Sequence, residues 1–469
     1  MLFNHFQTIG RLASTASPEW VGSKELQDMI QNRTLEFKQT LSPGDKVMIC
    51  HGGSVEFVVD LLAIWSCGAA AACVNPSATQ NEIDNLTTFI KPLALLKSAN
   101  DSLKILVSPS KTEAFNLDLP ALYLFTSGTT GTPKGVEHSF RSLLARFTLN
   151  QAYIGPDNFN KTLCSLPTHF GHGLIGNLLT PLLAGADVML LSDKTPVGLS
   201  KLGVLIDQYE INFLSSVPSF WKMALRLSKP PQRNSLRRVH VGSAPLSTDL
   251  WREIGKWCGT ENIYNMYGIT ETANWIGGTS LSEGANEDGL IGSVWGGAAL
   301  VKNTDTGEIT ATGTGELLIQ SPSLMTKYYN QEDLTQTVLQ NGWFHTGDIG
   351  EIDEEGKIRI TGRQKSEINK AGMKILPEEI DLLLERHDAI QEVCTFGLPD
   401  PISGERVAAA VVSTTPDLDG KALAKWMAPL IRKDAIPEKW FFVNEIPKTD
   451  RGKINRNNVR AVCLKGDPE

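Results

Sequence analysis

The sequence predicts an α/β protein: a large N-terminal domain of α/β sheets layered with helices and carrying a β-subdomain, then a small α+β C-terminal domain. Three observations carry this. From Lys46 to about Asp193 apolar strands alternate with amphipathic helices, past Gly315 the pattern changes to β-hairpins, and the last hundred or so residues mix short helices and strands. In order, Val47-Met48-Ile49-Cys50 reads as a strand, Val55 to Trp65 as an amphipathic helix and Ala70 to Val74 as the next strand. Thr162 to Leu166, Val188 to Leu191, Ile211 to Ser215, Arg238 to Val241 and Ile263 to Tyr267 continue the sheet. Glu316 to Gln320 and Ile349 to Ile360 read as hairpin strands, with Asp353-Glu354-Glu355-Gly356 as a turn. The end holds a helix at Pro377 to Arg386, strands near Val393 and Val407, a helix at Lys421 to Ile431 and a strand at Trp440 to Val443. Gly362-Arg363-Gln364-Lys365-Ser366 is glycine-led and polar, as a hinge is, so the boundary is placed between residues 1–362 and 363–469.

Composition narrows the function. With 469 residues, 41% hydrophobic and 20% charged, the chain can bury a large core. A net charge of -8 argues against a broad nucleic-acid-binding face but leaves room for a local basic site. The seven cysteines are odd in number and lack paired C-x-x-C spacing, so they read as reduced thiols in apolar niches. Met1 to Phe6 offers neither a basic nor a long apolar leader, and no run of about 18 apolar residues follows, which makes the cytoplasm the expected location.

The most informative stretch is Leu124 to Gly135, which holds Thr126, Ser127, Gly128, Thr129, Thr130, Gly131 and Lys134 directly after an apolar strand. Glycines let backbone N–H groups crowd around an anion, hydroxyls add donors, and the lysine adds charge, so the stretch reads as a polyphosphate loop. It departs from the usual P-loop, because Lys134 stands between Pro133 and Gly135. A flexible linker would not need the Pro-Lys step.

Four further motifs follow in order: Asn265-Met266-Tyr267-Gly268-Ile269-Thr270-Glu271-Thr272, Gly342 to Asp348, Gly362-Arg363 with Lys370-Ala371-Gly372, and Pro447 to Lys453. With the loop they make the chain resemble the adenylate-forming superfamily of acyl-CoA synthetases, peptide-synthetase adenylation domains and beetle luciferases, closest in style to acyl-CoA synthetases. The resemblance implies that a carboxylate attacks the α-phosphorus of ATP, pyrophosphate leaves, and the adenylate meets a thiol of CoA or phosphopantetheine. It implies Mg²⁺ at Glu271 with Thr270 beside the phosphate. By the same resemblance Asn265, Tyr267, Gly268 and Ser243-Ala244-Pro245 serve the adenine end, and Asp348 and Arg363 grip the ribose. Lys453 is the implied catalytic lysine, acting by transition-state electrostatics. A mobile C-terminal domain would swing about Lys365, offering Lys453 for the first step and Lys370-Ala371-Gly372 for the second.

The acyl pocket is implied at Phe170, Gly242, Met266 and Trp275. Side chains alternate along a strand, so if Tyr267 faces adenine, Met266 faces the acid. Met266 and Trp275 would shorten the cavity and favour a compact acid, although ordinary core packing explains both equally well. Phe170 stands where relatives carry an aromatic or a histidine, and His169 and His172 lack the further ligands a metal site needs. Gly171 to Gly176 spells a dinucleotide fingerprint, but Pro167 separates it from the strand, and coincidence is favoured. Gly171 also stands where amino-acid-activating domains place an aspartate. The expected activity is thus a stand-alone ligase loading a small carboxylic acid onto CoA or a separate carrier protein, without nucleic acid or membrane as partner. An amino-acid-activating carrier-protein ligase and a catalytically silent nucleotide-binding protein are the alternatives.

Overall fold

The computed structural model describes residues 8–107, 114–126, 134–284, 287–371, 373–449 and 452–466. Two large sheets carry the N-terminal part, and their order explains its layers. The first runs Trp275–Ser280, Ile263–Gly268, Arg238–Gly242, Phe213–Ser216, Lys161–Cys164, Asp187–Leu190, Leu12–Ser14, Ser17–Val21, parallel except at its two edge strands. The second runs Lys327–Tyr328, Lys134–Ser139, Pro120–Thr126, Ala70–Cys73, Lys46–Ile49, Ala94–Leu96, Lys104–Ile105. One continuous apolar cluster joins them, taking Leu12, Cys164 and Val188 from the first and Val47, Ala71 and Leu122 from the second. A parallel sheet must be covered on both faces, and the outer face of the first is closed by Leu202–Gln208, Pro218–Leu227 and Thr248–Cys258.

Helix Val55–Ser66 corrects one sequence expectation. It is not amphipathic: every residue from Phe57 to Trp65 is buried, because the helix is sandwiched between the two sheets. Its buried acid, Asp60, is paired by Arg33 Nε at 2.6 Å and lies 3.0 Å from His51 Nε2. The Trp65 indole donates to the Ala121 carbonyl at 2.7 Å and ties the helix to the second sheet.

The third sheet is antiparallel and contains the expected hairpin as Trp343–Ile352 and Ile358–Arg363. Gly356, at φ +74°, donates to the Asp353 carbonyl at 3.0 Å and closes the turn. The register that starts at that turn shifts by one residue between Gly350 and Ile349, and the shift puts Asp348 directly opposite Arg363. The C-terminal sheet orders Met373–Ile375, Ile368–Lys370, Gly404–Ser413 and Ile390–Asp400, with Lys439–Phe442 parallel to Gly404–Ser413. Helices Pro377–Leu384 and Gly420–Met427 cover it. A last helix, Arg456–Gly466, was not expected from the sequence; Val459 and Cys463, one turn apart, dock it on Cys394 and Phe441.

All seven cysteines are buried and unbridged, and burial pushes Cys50 and Cys67 up to about 11, far from a reactive thiolate. Among the described residues no helix is long and apolar enough to cross a membrane. Because Val55–Ser66 has no solvent face, Leu61→Ala is expected to cost about 2–5 kcal/mol of unfolding free energy in a denaturant titration.

Candidate active site

The carboxyl ends of three parallel strands, Phe213–Ser216, Arg238–Gly242 and Ile263–Gly268, open into one cleft of about 1910 Å³, the usual place for a ligand on such a sheet. Residues of the C-terminal part close its far side, including Gln364, Asp381 and Lys453. Ser243, Ala244 and Pro245 form one wall, and Ser243 sits at φ +68°, a left-handed conformation that costs a non-glycine residue free energy.

Tyr267 and Met266 diverge as alternation requires. Tyr267 joins Ile291 and Leu317, whereas Met266 packs with Phe213, Trp275 and Trp295. The Tyr267 hydroxyl donates to Asp348 Oδ2 at 2.5 Å, and Arg363 Nε donates to Asp348 Oδ1 at 2.5 Å. Asp348 is only 3% exposed, so its charge is matched from both sides. Asp348 in turn raises the Arg363 guanidinium, and burial with Asp348 raises the Tyr267 phenol. Asn265 lines the cleft but spends its amide on the Leu290 carbonyl, at 2.9 Å. Gly268 must be glycine, since a Cβ there would meet the Asn274 carbonyl oxygen at 2.3 Å.

Thr270 and Glu271 project from a tight turn, Thr270–Thr272. The Tyr328 hydroxyl donates to Glu271 Oε1 at 2.6 Å and orients the carboxylate. Lys134 stands 5.0 Å from the Tyr328 ring. Burial pulls Lys134 below the usual lysine value, the charges of Lys365 and Arg363 add to this, and Glu271 opposes it. Lys134, Lys365 and Arg363 therefore gather near Glu271, with Asp348 paired to Arg363. Strands Pro120–Thr126 and Lys134–Ser139 pair with Thr126 opposite Lys134, which pins both ends of the predicted loop; Ser127, Gly128, Thr129, Thr130 and Gly131 lie outside the described residues.

Lys453 lines the same cleft. Its Thr449–Lys453 turn is closed by Gly452 N–H to the Thr449 carbonyl and Thr449 N–H to the Lys453 carbonyl, both 2.8 Å. Gly452, at φ +71°, lies so near the N-terminal part that a Cβ would meet Ser219 Oγ at 2.6 Å. The positive charge of Lys453 reaches His172, whose ring nitrogens lie 2.8 Å from the hydroxyls of Ser243 and Ser215.

Two family models match this chain: AMP-binding enzyme over residues 17–329 and AMP-binding enzyme C-terminal domain over residues 379–453. The chain belongs to the AMP-binding enzyme family. Its relatives include a probable CoA ligase of Humulus lupulus, 28% identical over 92% of this chain and 90% of that one. The oxalate–CoA ligase of Arabidopsis thaliana is 29% identical over 89% and 88%, and the sulfoacetate–CoA ligase of Cupriavidus necator 32% identical over 72% and 66%. Among solved structures, ATP-bound MatB from Rhodopseudomonas palustris has the same fold, with a TM-score of 0.87, 24% identity and 98% of both chains covered.

In this AMP-binding enzyme Phe170, Met266 and Trp275 line the cleft, whereas Gly242 lies behind Met266, whose carbonyl oxygen a Cβ would meet at 2.6 Å. Lys365 also lines the cleft, exposed, in the turn Gln364–Ser366. The Gly171–Gly176 fingerprint opens a buried π-helix, His172–Leu179. Its glycines serve close packing, since a Cβ at Gly173 would meet the Pro167 carbonyl oxygen at 2.0 Å.

Sequence reasoning missed Tyr328, His138 and Arg456. His138 Nε2 donates to the Thr270 carbonyl at 2.8 Å and steadies the turn. Arg456 opens a helix, where positive charge is unfavourable, and that was the available signal for an acidic partner. It donates to Asp381 Oδ2 at 2.6 Å and Glu378 Oε1 at 3.2 Å, anchoring the chain just after Lys453. Arg456→Met is expected to lower kcat about 10-fold or more while changing nucleotide affinity less than about threefold, read by steady-state kinetics and calorimetry.

Burial depresses the imidazoles of His138 to about 4 and His172 to about 3, against about 6.5 in an unfolded chain. Their stabilising contribution is complete above pH 6.5 and is lost as pH falls toward those values. Unfolding free energy is expected to fall below pH 6.5, and His138→Gln to flatten that slope by about 1.4 kcal/mol per pH unit in denaturant titrations.

Proposed function

We propose that this chain is an ATP-dependent, AMP-forming acid–thiol ligase that adenylates a small carboxylic acid and passes the acyl group to CoA. The observation that carries the reading is the convergence of Lys134, Lys365, Arg363 and Lys453 on a cleft whose turn presents Glu271. Such a site suits a polyphosphate whose negative charge must be held while the α-phosphorus is attacked. In this reading the two parts divide at 362 and 363, Lys365 is the hinge, and the adenosine lies between Ser243-Ala244-Pro245 and the Tyr267–Asp348–Arg363 array.

Glu271 fits a hard cation: Tyr328 holds one carboxylate oxygen, and the cluster is otherwise rich in phosphate-seeking cations. Mg²⁺ held there would supply charge neutralisation on the phosphates. The rest falls to the chain: the loop from Thr126 to Lys134 cradles the phosphates, and Thr270 donates beside them. Lys453 stabilises charge where the acid's oxygen meets the α-phosphorus. Pyrophosphate then leaves, and a thiolate attacks the acyl carbon and releases AMP.

Met266 and Trp275, both 3% exposed, narrow the acyl end and favour a compact acid, in keeping with relatives named for oxalate and sulfoacetate. An amino acid is disfavoured at Gly171, because a Cβ there would meet the Ala273 carbonyl oxygen at 2.7 Å, which leaves no room for an aspartate. The names of the relatives favour CoA as acceptor.

A panel of acids scored by pyrophosphate release, with and without CoA, tests the reading. Compact acids are expected to outperform long-chain acids, and no acid-dependent release with any of them would overturn it. Lys453→Ala is expected to lower pyrophosphate exchange by about 10²-fold or more and to spare thioester formation from a supplied adenylate.

A further inference from the structure

Beneath the Thr270–Thr272 turn lies a buried cation that the proposed chemistry does not use. Arg146, on helix Phe140–Ile154, is 0% exposed. Its Nε donates to Ser323 Oγ at 3.0 Å, and its Nη2 donates to Ser323 Oγ at 2.6 Å and Ser321 Oγ at 3.1 Å. These partners are neutral, and among the described residues Nη1 has none. Burial pulls the guanidinium down to about 9, and its charge in turn helps to depress His138. A fully buried charge without a carboxylate destabilises a fold unless something nearby answers it.

The bonds lead toward the cleft. Ser323 Oγ donates to the Thr272 carbonyl at 3.0 Å, Met325 N–H to the Glu271 carbonyl at 2.7 Å, and His138 Nε2 to the Thr270 carbonyl at 2.8 Å. Three successive carbonyls of one turn are thus each held by a donor from elsewhere in the chain, and Arg146 fixes the outermost of these donors. Thr270 and Glu271 line the cleft together with Lys134 and Lys365, so the chain of bonds that starts at Arg146 ends at the cationic side of the cleft.

We propose that Arg146 is a positioning residue of the nucleotide site: through Ser323 and the Thr272 carbonyl it sets the turn that presents Thr270 and Glu271, and its buried charge is answered by the polyphosphate. The inference rests on the ATP reading above. It requires that nucleotides with a long phosphate chain feel Arg146 and that AMP, lacking two of the phosphates, does not.

The test is calorimetric titration of the full chain with ATP and with AMP, both with Mg²⁺, for wild type, Arg146→Gln, Arg146→Lys and Ser323→Ala, each checked by thermal unfolding. Arg146→Gln is expected to weaken ATP about 10-fold or more and AMP less than about twofold, with Arg146→Lys intermediate. Ser323→Ala, which removes the link and leaves the charge, is expected to weaken ATP about threefold with AMP again spared. Should Arg146→Gln fail to fold, Ser323→Ala decides. Wild-type affinity for ATP in Ser323→Ala, or equal weakening of ATP and AMP in any variant, overturns the proposal. If wild type binds ATP but the variants lose nothing selectively, only this inference fails; if wild type binds no ATP, the functional reading fails with it.

Discussion

Lys134, Lys365 and Arg363 share a cleft in which Asp348 answers Arg363 and Glu271 faces Lys134, and the Lys134 ammonium is depressed first by burial and then by the neighbouring cations. Like charges are brought together at a free-energy cost, and an anion bound among them removes it. Much of the architecture is explained by the need to hold these groups in place without a ligand. The hairpin register fixes Arg363 against Asp348, Tyr328 holds Glu271, and the paired strands Pro120–Thr126 and Lys134–Ser139 hold Lys134. The two strand pairings are backbone devices and the Tyr328 hydroxyl adds a side-chain brace, so the site does not depend on long flexible side chains alone.

The cations also come from different layers, and that gives the cleft its chemistry. Lys134 belongs to the second sheet, Arg363 to the antiparallel sheet, and Lys453 to a turn of the C-terminal part. Beside Lys453, Gly452 lets the backbone pass close to Ser219. The C-terminal part is further tied down by Lys222 to Glu385 at 2.6 Å and Arg386 to Asp288 at 2.5 Å. These pairs are partly exposed and individually weak, so they steer the arrangement without locking it.

Most strands were legible in the sequence, because apolar alternation is a local signal: Arg238–Gly242 and Ile263–Gly268 end within a residue or so of their expected bounds. The α/β class and the motif residues that face one cleft were legible for the same reason. Burial was less so. Val55–Ser66 contains Glu56, Asp60 and Ser66, which mimic a polar face, and nothing local says that a second sheet covers it. The final helix escaped because its apolar residues are sparse among polar ones. The supports of the site were hidden by distance along the chain: Tyr328 meets Glu271 across 57 residues and Arg146 meets Ser323 across 177. No periodicity encodes such pairs; they arise only when sheets stack.

The central claim is that the gathered positive charge turns ATP's α-phosphorus into the target of a carboxylate. The most direct measurement supplies a turned-over acid labelled with ¹⁸O in its carboxylate and follows the label by mass spectrometry. The account predicts one ¹⁸O in the phosphate of AMP and none in pyrophosphate. Label appearing in inorganic phosphate alongside ADP, or AMP formed without label, would contradict it.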